Sequence, residues 1–200
     1  MIIIGIDPGS LGGVAVLKYP SIETHNMPET YPDIYNLFVS ILEKHKGENT
    51  LAVLEDVGHG MPGQSSKATA VFARHNGHLE MALYALGVRT IKVTPQKWQK
   101  HYSNSLGKSS GCEKTVWKNK LKGLAQQMFP TEKVTLKTAD AMLIACYGAD
   151  LNGQPAARAK TNPLIESGTA KDAPVAPVEA DKKPKKKQKK DAFEAPGLFD

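Results

Sequence analysis

The chain has 200 residues, 40% of them hydrophobic, enough for one core of ordinary domain size plus an appendage. Lysine and arginine number 26 against 20 acidic residues, and the formal net charge of +6 favours a polyanionic partner without identifying it. Two cysteines far apart in sequence, Cys112 and Cys146, argue against a disulfide framework or a thiolate zinc site. No run approaches the roughly 18 apolar residues of a membrane span. The opening apolar run reaches Asp7 too soon for a signal peptide, so a soluble, cytoplasmic protein is expected.

"MIIIGI" and "GGVAVLKY" read as two strands joined by a turn at Pro8 to Ser10, with "SIETHNM" as a third strand of the same meander. "YPDIYNLFVSILEKHKG" places Ile34, Leu37, Phe38, Ile41 and Leu42 on one helical face and stops at Gly47 after a basic last turn. "TLAVLEDVG" is a short apolar strand ending in Glu55 and Asp56. A glycine-rich stretch, "GHGMPGQSSK", leads to a long helix from about Ser65 to Leu86, N-capped by Ser65 or Ser66. The strand "VRTIKV", a Pro-Gln-Lys-Trp turn or short helix, and a basic helix from about Glu113 to Met128 follow. In the last helix, "LKTADAMLIACYGAD", Leu136, Ala139, Leu143 and Cys146 keep helical spacing. A meander followed by alternating helices and strands predicts an α/β domain over 1–150, a mixed sheet flanked by helices. From Leu151 onward the text turns rich in Pro, Ala and Lys without apolar periodicity, and residues 151–200 are expected to form a disordered basic tail.

Asp7 and Glu55 each stand at the C-terminal end of a predicted strand. If the two strands form one parallel pair, their carboxylates meet at one rim of the sheet. Asp140 lies on the last helix among Ala139, Ala141 and Met142, an apolar setting where an acid needs a partner. Strand-end acids commonly cap the following turn, and Asp140 has Lys137 near it on its own helix, so each acid alone has a purely structural explanation. Oxygen ligands from three separated segments converging on one point suit Mg²⁺, which keeps several waters and completes its shell with phosphate oxygens. A pair of such ions would serve phosphodiester cleavage.

"GIDPGSLGG", "LEDVGHGMPGQSS", "VTPQKWQKHY" and "ADAMLIACYG", in this order and spacing, resemble the RuvC-type Holliday-junction resolvases, particularly their phage and bacterial single-domain relatives. The resemblance covers essentially residues 1–150. It implies the RNase H-like fold, a homodimer, and paired symmetric nicking of four-way DNA junctions in recombination and repair. The cofactor it implies is Mg²⁺, with Mn²⁺ as a substitute. It also implies a cytoplasmic setting, at the nucleoid or in a phage-infected bacterial cell. Carried across by motif, Asp7 would bridge two metals, Glu55 and Asp140 would each hold one, and a water would attack the phosphate in line. The family carries an acid or a histidine three or four residues before the last aspartate, where this chain has Lys137 and Leu136. Lys137 would then contact a phosphate, or Glu132 or Asp150 would take the acid's place.

The resemblance also places a crossover wedge in the loop after Glu55, with His59 and Met61 as candidates against an ordinary loop. His75 and His78 lack an evident third metal ligand and read as surface or interface residues. Phe72, Leu79, Leu83 and Leu86 form a stripe suited to the core or to a dimer seam. Of the lysines at 97, 100, 108, 114 and 118, Lys97, Lys100 and Lys114 are the expected DNA contacts, fixing position rather than sequence. Trp98 and Trp117 read as core anchors. At the far end of the tail, Leu198 and Phe199 resemble the ending of peptides that dock on a DNA sliding clamp, beyond the lysine cluster "KKPKKKQKK". Competing readings are a non-catalytic junction-binding protein, a nuclease acting mainly on flaps or forks, and an actin-like ATPase. The ATPase would need a second nucleotide-clamping half for which about 150 ordered residues leave no room.

Overall fold

The computed structural model describes residues 1–58, 65–107 and 109–157. His59, Met61, Lys108, the lysine cluster, Leu198 and Phe199 lie outside the described residues. The elements run β1 (Ile2–Asp7), β2 (Gly13–Lys18), β3 (Ser21–Asn26), α1 (Tyr31–Lys44), β4 (Thr50–Glu55), α2 (Ser66–Ala85) and β5 (Arg89–Val93). After these come α3 (Pro95–His101), α4 (Ser103–Leu106), α5 (Lys114–Met128) and α6 (Ala139–Leu151).

The strands form one sheet in the order β3-β2-β1-β4-β5. β1 pairs antiparallel with β2, which pairs antiparallel with β3, while β1, β4 and β5 run parallel through helical crossovers. Every residue of β1 is buried, as an unbroken apolar run requires when both faces of a strand are covered. Strand periodicity divides the core. Ile3, Ala15, Leu17, Leu51 and Val53 pack under α5 and α6, whereas Ile2, Ile4, Ile6, Val14, Val16, Ala52 and Leu54 pack under α1 and α2. The protein is thus a mixed sheet between two helical layers, as the alternating pattern predicts.

Local chemistry sets the helix starts. The Thr30 hydroxyl accepts from the Asp33 amide, Ser65 from Ala68, and Glu113 from Thr115 and Val116. Pro95 opens α3, where its missing amide hydrogen is no loss. One expected start is corrected: α6 begins at Ala139, not Leu136. Thr135 and Thr138 bond to each other (Oγ1 to Oγ1 3.1 Å), and the Thr138 amide donates to Thr135 Oγ1 at 3.3 Å, so 135–138 fold as a turn. Leu136 is consequently 46% exposed. α4 is an element the sequence pattern did not signal. Past α6 the Gln154 amide bonds to the Ala149 carbonyl, and Ala156 and Ala157 pack against the core, so the packed chain continues beyond the boundary expected at residue 150.

α6 is almost wholly buried and lies directly on β1. Two glycines permit that approach. A Cβ on Gly5 would stand 2.2 Å from the Ala141 carbonyl oxygen and 2.5 Å from the Ala145 nitrogen, and one on Gly148 would stand 2.4 Å from Val53 Cγ2. With backbone against backbone, the first turn of α6 is set beside the C-terminal end of β1.

Candidate active site

Asp7 is the last residue of β1 and Glu55 the last of β4. The parallel register, which pairs Ile6 with Leu54, brings the two carboxylates side by side one step further on. Asp140, second residue of α6, is the third acid, carried to the same rim by the contact at Gly5. Exposure is 8% for Asp7, 7% for Glu55 and 8% for Asp140, so three acids that could each have been surface residues are all buried.

Burial is the main reason that all three hold protons more tightly than ordinary carboxylates. For Asp7 the shift is large, and repulsion from Glu55 and then Asp140 adds to it. Asp7 and Glu55 share a hydrogen bond that raises the proton affinity of Asp7 and lowers that of Glu55. Glu55 is restrained by the buried Trp98 indole, whose Nε1 donates to Glu55 Oε1 at 2.8 Å. Asp140 is restrained by Lys118 of α5, with Nζ 3.6 Å from Oδ2, and the same ammonium lowers Asp7 and Glu55.

Neither Trp98 nor Lys118 stands out as part of the acid cluster in the sequence. Trp98 is a core anchor, fully buried as expected, but its nitrogen also positions an acid from another element. Trp117 is likewise buried, and its Nε1 donates to Gln99 at 3.0 Å, tying α5 to α3. Asp140 pairs across helices with Lys118, not with Lys137 of its own segment. Asp150 sits at the other end of α6, about 15 Å along the axis from Asp140, and bonds to His101 at 2.9 Å, so it does not complete the rim.

Of the expected DNA contacts, Lys97 and Lys100 are exposed on α3 and Lys114 is exposed at the start of α5. Lys137 is exposed in the turn before α6, its carbonyl lying over Gly13, the strand partner of Asp7. His78 stacks on Tyr31 (3.6 Å, 7°) and His75 is half-buried beside the same segment. Leu79 and Leu83 are core, whereas Phe72 and Leu86 are half-buried.

Among the described residues no group of three His, Cys, Asp or Glu side chains is placed to hold a metal ion by itself. A hard cation that retains waters does not need one: one or two carboxylates plus substrate phosphates hold Mg²⁺. The all-oxygen donor set, the mutual repulsion within it and the Lys118 ammonium beside it fit a divalent cation. Any such cation would offset the burial and the repulsion that raise the proton affinity of Asp7.

Neither a family model nor a curated protein sequence matches the chain. Its structure is similar to that of Thermus thermophilus RuvC in complex with Holliday junction substrate, with 15% identity and a TM-score of 0.53 over 79% of this chain and 99% of that one. A further Thermus thermophilus RuvC structure matches over the same shares at 15% identity and a TM-score of 0.49. At such identity the likeness speaks for the fold alone, and the chain has a RuvC-like, RNase H-like α/β fold.

Proposed function

We propose that the chain is a divalent-metal-dependent endodeoxyribonuclease that resolves four-way DNA junctions by paired symmetric nicking. The observation that carries the reading is the burial of Asp7, Glu55 and Asp140 at one sheet rim, where they repel one another and meet the Lys118 ammonium. The RuvC-like fold, in a protein whose neighbour was captured on a Holliday junction, supports the substrate class.

In this reading Asp7, Glu55 and Asp140 would together hold the metal ions. Two Mg²⁺ ions, or Mn²⁺ in their place, supply when bound the charge that offsets the attacking and leaving oxygens of a phosphodiester. Trp98 orients Glu55 and opposes the burial that raises its proton affinity, and Lys118 does the same for Asp140. Lys114, Lys118 and Lys122 recur every four residues on α5, about 6 Å apart along its axis, and form a stripe leading to the rim. With Lys97, Lys100 and Lys137 they hold the phosphate backbone in register, which fixes position and carries no sequence preference.

Trp98→Phe keeps most of the apolar volume and removes the donor. Glu55 then holds its proton more tightly, so the acid limb of the pH–rate profile moves up by about one unit and the rate on that limb falls about tenfold, with the plateau rate unchanged. An unchanged profile would mean that the indole only packs.

A homodimer matches the two-strand task. Val71, Met81 and Tyr84 on α2 are 58%, 60% and 80% exposed, and an antiparallel copy crossing near Gly77 would set Val71 against Tyr84. Met81→Asp is expected to convert dimers to monomers at micromolar concentration, read by sedimentation. A monomeric wild type would remove the basis for paired nicking by this face.

A cleavage assay with Mg²⁺ on a synthetic four-way junction, beside duplex, flap and fork controls and Asp7→Asn, tests the whole reading. Symmetric nicks on the junction, lost in the variant, are expected. Preferential cutting of flaps or forks would keep the nuclease and change its substrate. The second reading, a non-catalytic junction binder, is favoured by Lys118 standing at Asp140 and by the missing fourth acid at Lys137. It predicts tight binding with no nick under any divalent ion.

A further inference from the structure

The rim carries a second feature on the α1 and α2 side of the sheet. A cavity of about 660 Å³ opens against the turn at Gly9, two residues after Asp7, between the entrance to α1 and the first turns of α2. Its volume lies within the range of about 300–1,000 Å³ usual for small-ligand sites. None of the three acids lines it.

Its lining is largely apolar. Tyr31 lines it with a ring already held by the stack on His78, so this face is rigid before any ligand arrives. Phe72 lines it and lies against Gly9, where a Cβ would stand 3.4 Å from the ring edge at a backbone φ of +101°. A side chain at residue 9 would therefore be strained and would crowd the ring that flanks the catalytic turn. His75 lines the same wall, and burial, followed by the nearby His78, lowers its proton affinity, so it is neutral at pH 7. Its two charged lining groups, Glu29 and Lys67, are of opposite sign.

We propose that this cavity receives one unstacked nucleobase of the DNA strand whose phosphate lies at Asp7, Glu55 and Asp140; the inference rests on the nuclease reading above. A base is a flat, neutral body with an amino-bearing edge. Tyr31 and Phe72 offer it ring faces, and the Glu29 carboxylate accepts from its amino group. Lys67 is left for the adjoining phosphate. A bare phosphate or an acidic peptide would instead meet the charge of Glu29. The continuity of the cavity with the turn after Asp7 places the base next to the scissile phosphate, so the cavity supplies both a register and a preference for amino-bearing bases at one position.

The test is a series of four-way junctions carrying a single abasic site at each position within two nucleotides of the cut. Each is read as cleavage with Mg²⁺ and as binding by fluorescence anisotropy without divalent cation. One abasic position is expected to cost wild type about tenfold in both readouts. Glu29→Gln, an exposed change that spares the core, and Phe72→Ala are expected to lower cleavage of the intact junction and to lose that position-specific penalty. Equal behaviour of all abasic junctions in wild type, or an undiminished penalty in both variants, overturns the proposal. If no branched DNA is cut at all, the nuclease reading fails while the binding series still decides the cavity. Uptake of free deoxynucleoside monophosphates, with every abasic junction behaving as intact, would assign the cavity to a free nucleotide and overturn it too.

Discussion

Asp7→Asn is expected to abolish junction cleavage, by at least about 10³-fold, and at the same time to stabilise the metal-free protein at pH 7. The two effects have one cause. Buried against Glu55 and Asp140, Asp7 in the folded protein holds its proton well above its ordinary value of 3.8. Below about pH 4 the folded and unfolded chains both carry that proton, and no penalty exists. As pH rises from there toward the raised folded value, the unfolded chain releases the proton and the folded one retains it or bears the repulsion, so stability falls. Asparagine carries no charge to repel. The melting temperature of Asp7→Asn should exceed that of wild type at pH 7, by roughly 2–4 °C for each kcal/mol relieved, and the difference should vanish below about pH 4. Added Mg²⁺ should raise the wild-type melting temperature and leave that of the variant nearly unmoved, a readout of metal binding independent of cleavage. A variant less stable than wild type at pH 7 would mean that Asp7 is a structural cap.

Gly5→Ala is expected to cost about 3 kcal/mol or more, a large share of the stability of a single domain. The added methyl would meet backbone at every near contact: the Ala141 oxygen at 2.2 Å, the Ala145 nitrogen at 2.5 Å and its Cα at 2.9 Å. No rotamer change can relieve such contacts, so α6 must lift from β1, carrying Asp140 away from Asp7. Gly148→Ala should cost less, because the nearest obstacle is the Val53 side chain at 2.4 Å. Gly123→Ala, on α5 with nothing within 4 Å, should be stabilising by about 0.5–1 kcal/mol through helix propensity. Denaturant titration of the three variants checks the order, and a Gly5→Ala protein as stable as Gly123→Ala would show that α6 has room to spare.

Residue pattern alone set the order of the elements other than α4 and marked both tryptophans as core anchors, whereas the parallel pairing of the two acid-tipped strands was a condition that the fold met. The element order follows from short-range periodicity: an unbroken apolar run for a strand covered on both faces and a 3.6-residue stripe for a helix. The same pattern singled out Asp7, Glu55 and Asp140, because an acid closing an apolar run is costly unless it has a task. The start of α6 was misplaced by three residues, because side-chain hydrogen bonds between Thr135 and Thr138 compete with the helix and leave no mark on apolar spacing.

Tertiary structure alone decided which cation faces Asp140. Lys137 is nearer in sequence, but the packing of α5 against α6 delivers Lys118. It also decided that Trp98, 43 residues from Glu55, donates to that carboxylate, and that Tyr31, Phe72 and Gly9 enclose one cavity beside the rim. Partners far apart in the chain are chosen by how layers stack. That stacking depends on close approaches such as the one at Gly5, where the sequence records only an absent side chain and the fold reveals what must pass through the space.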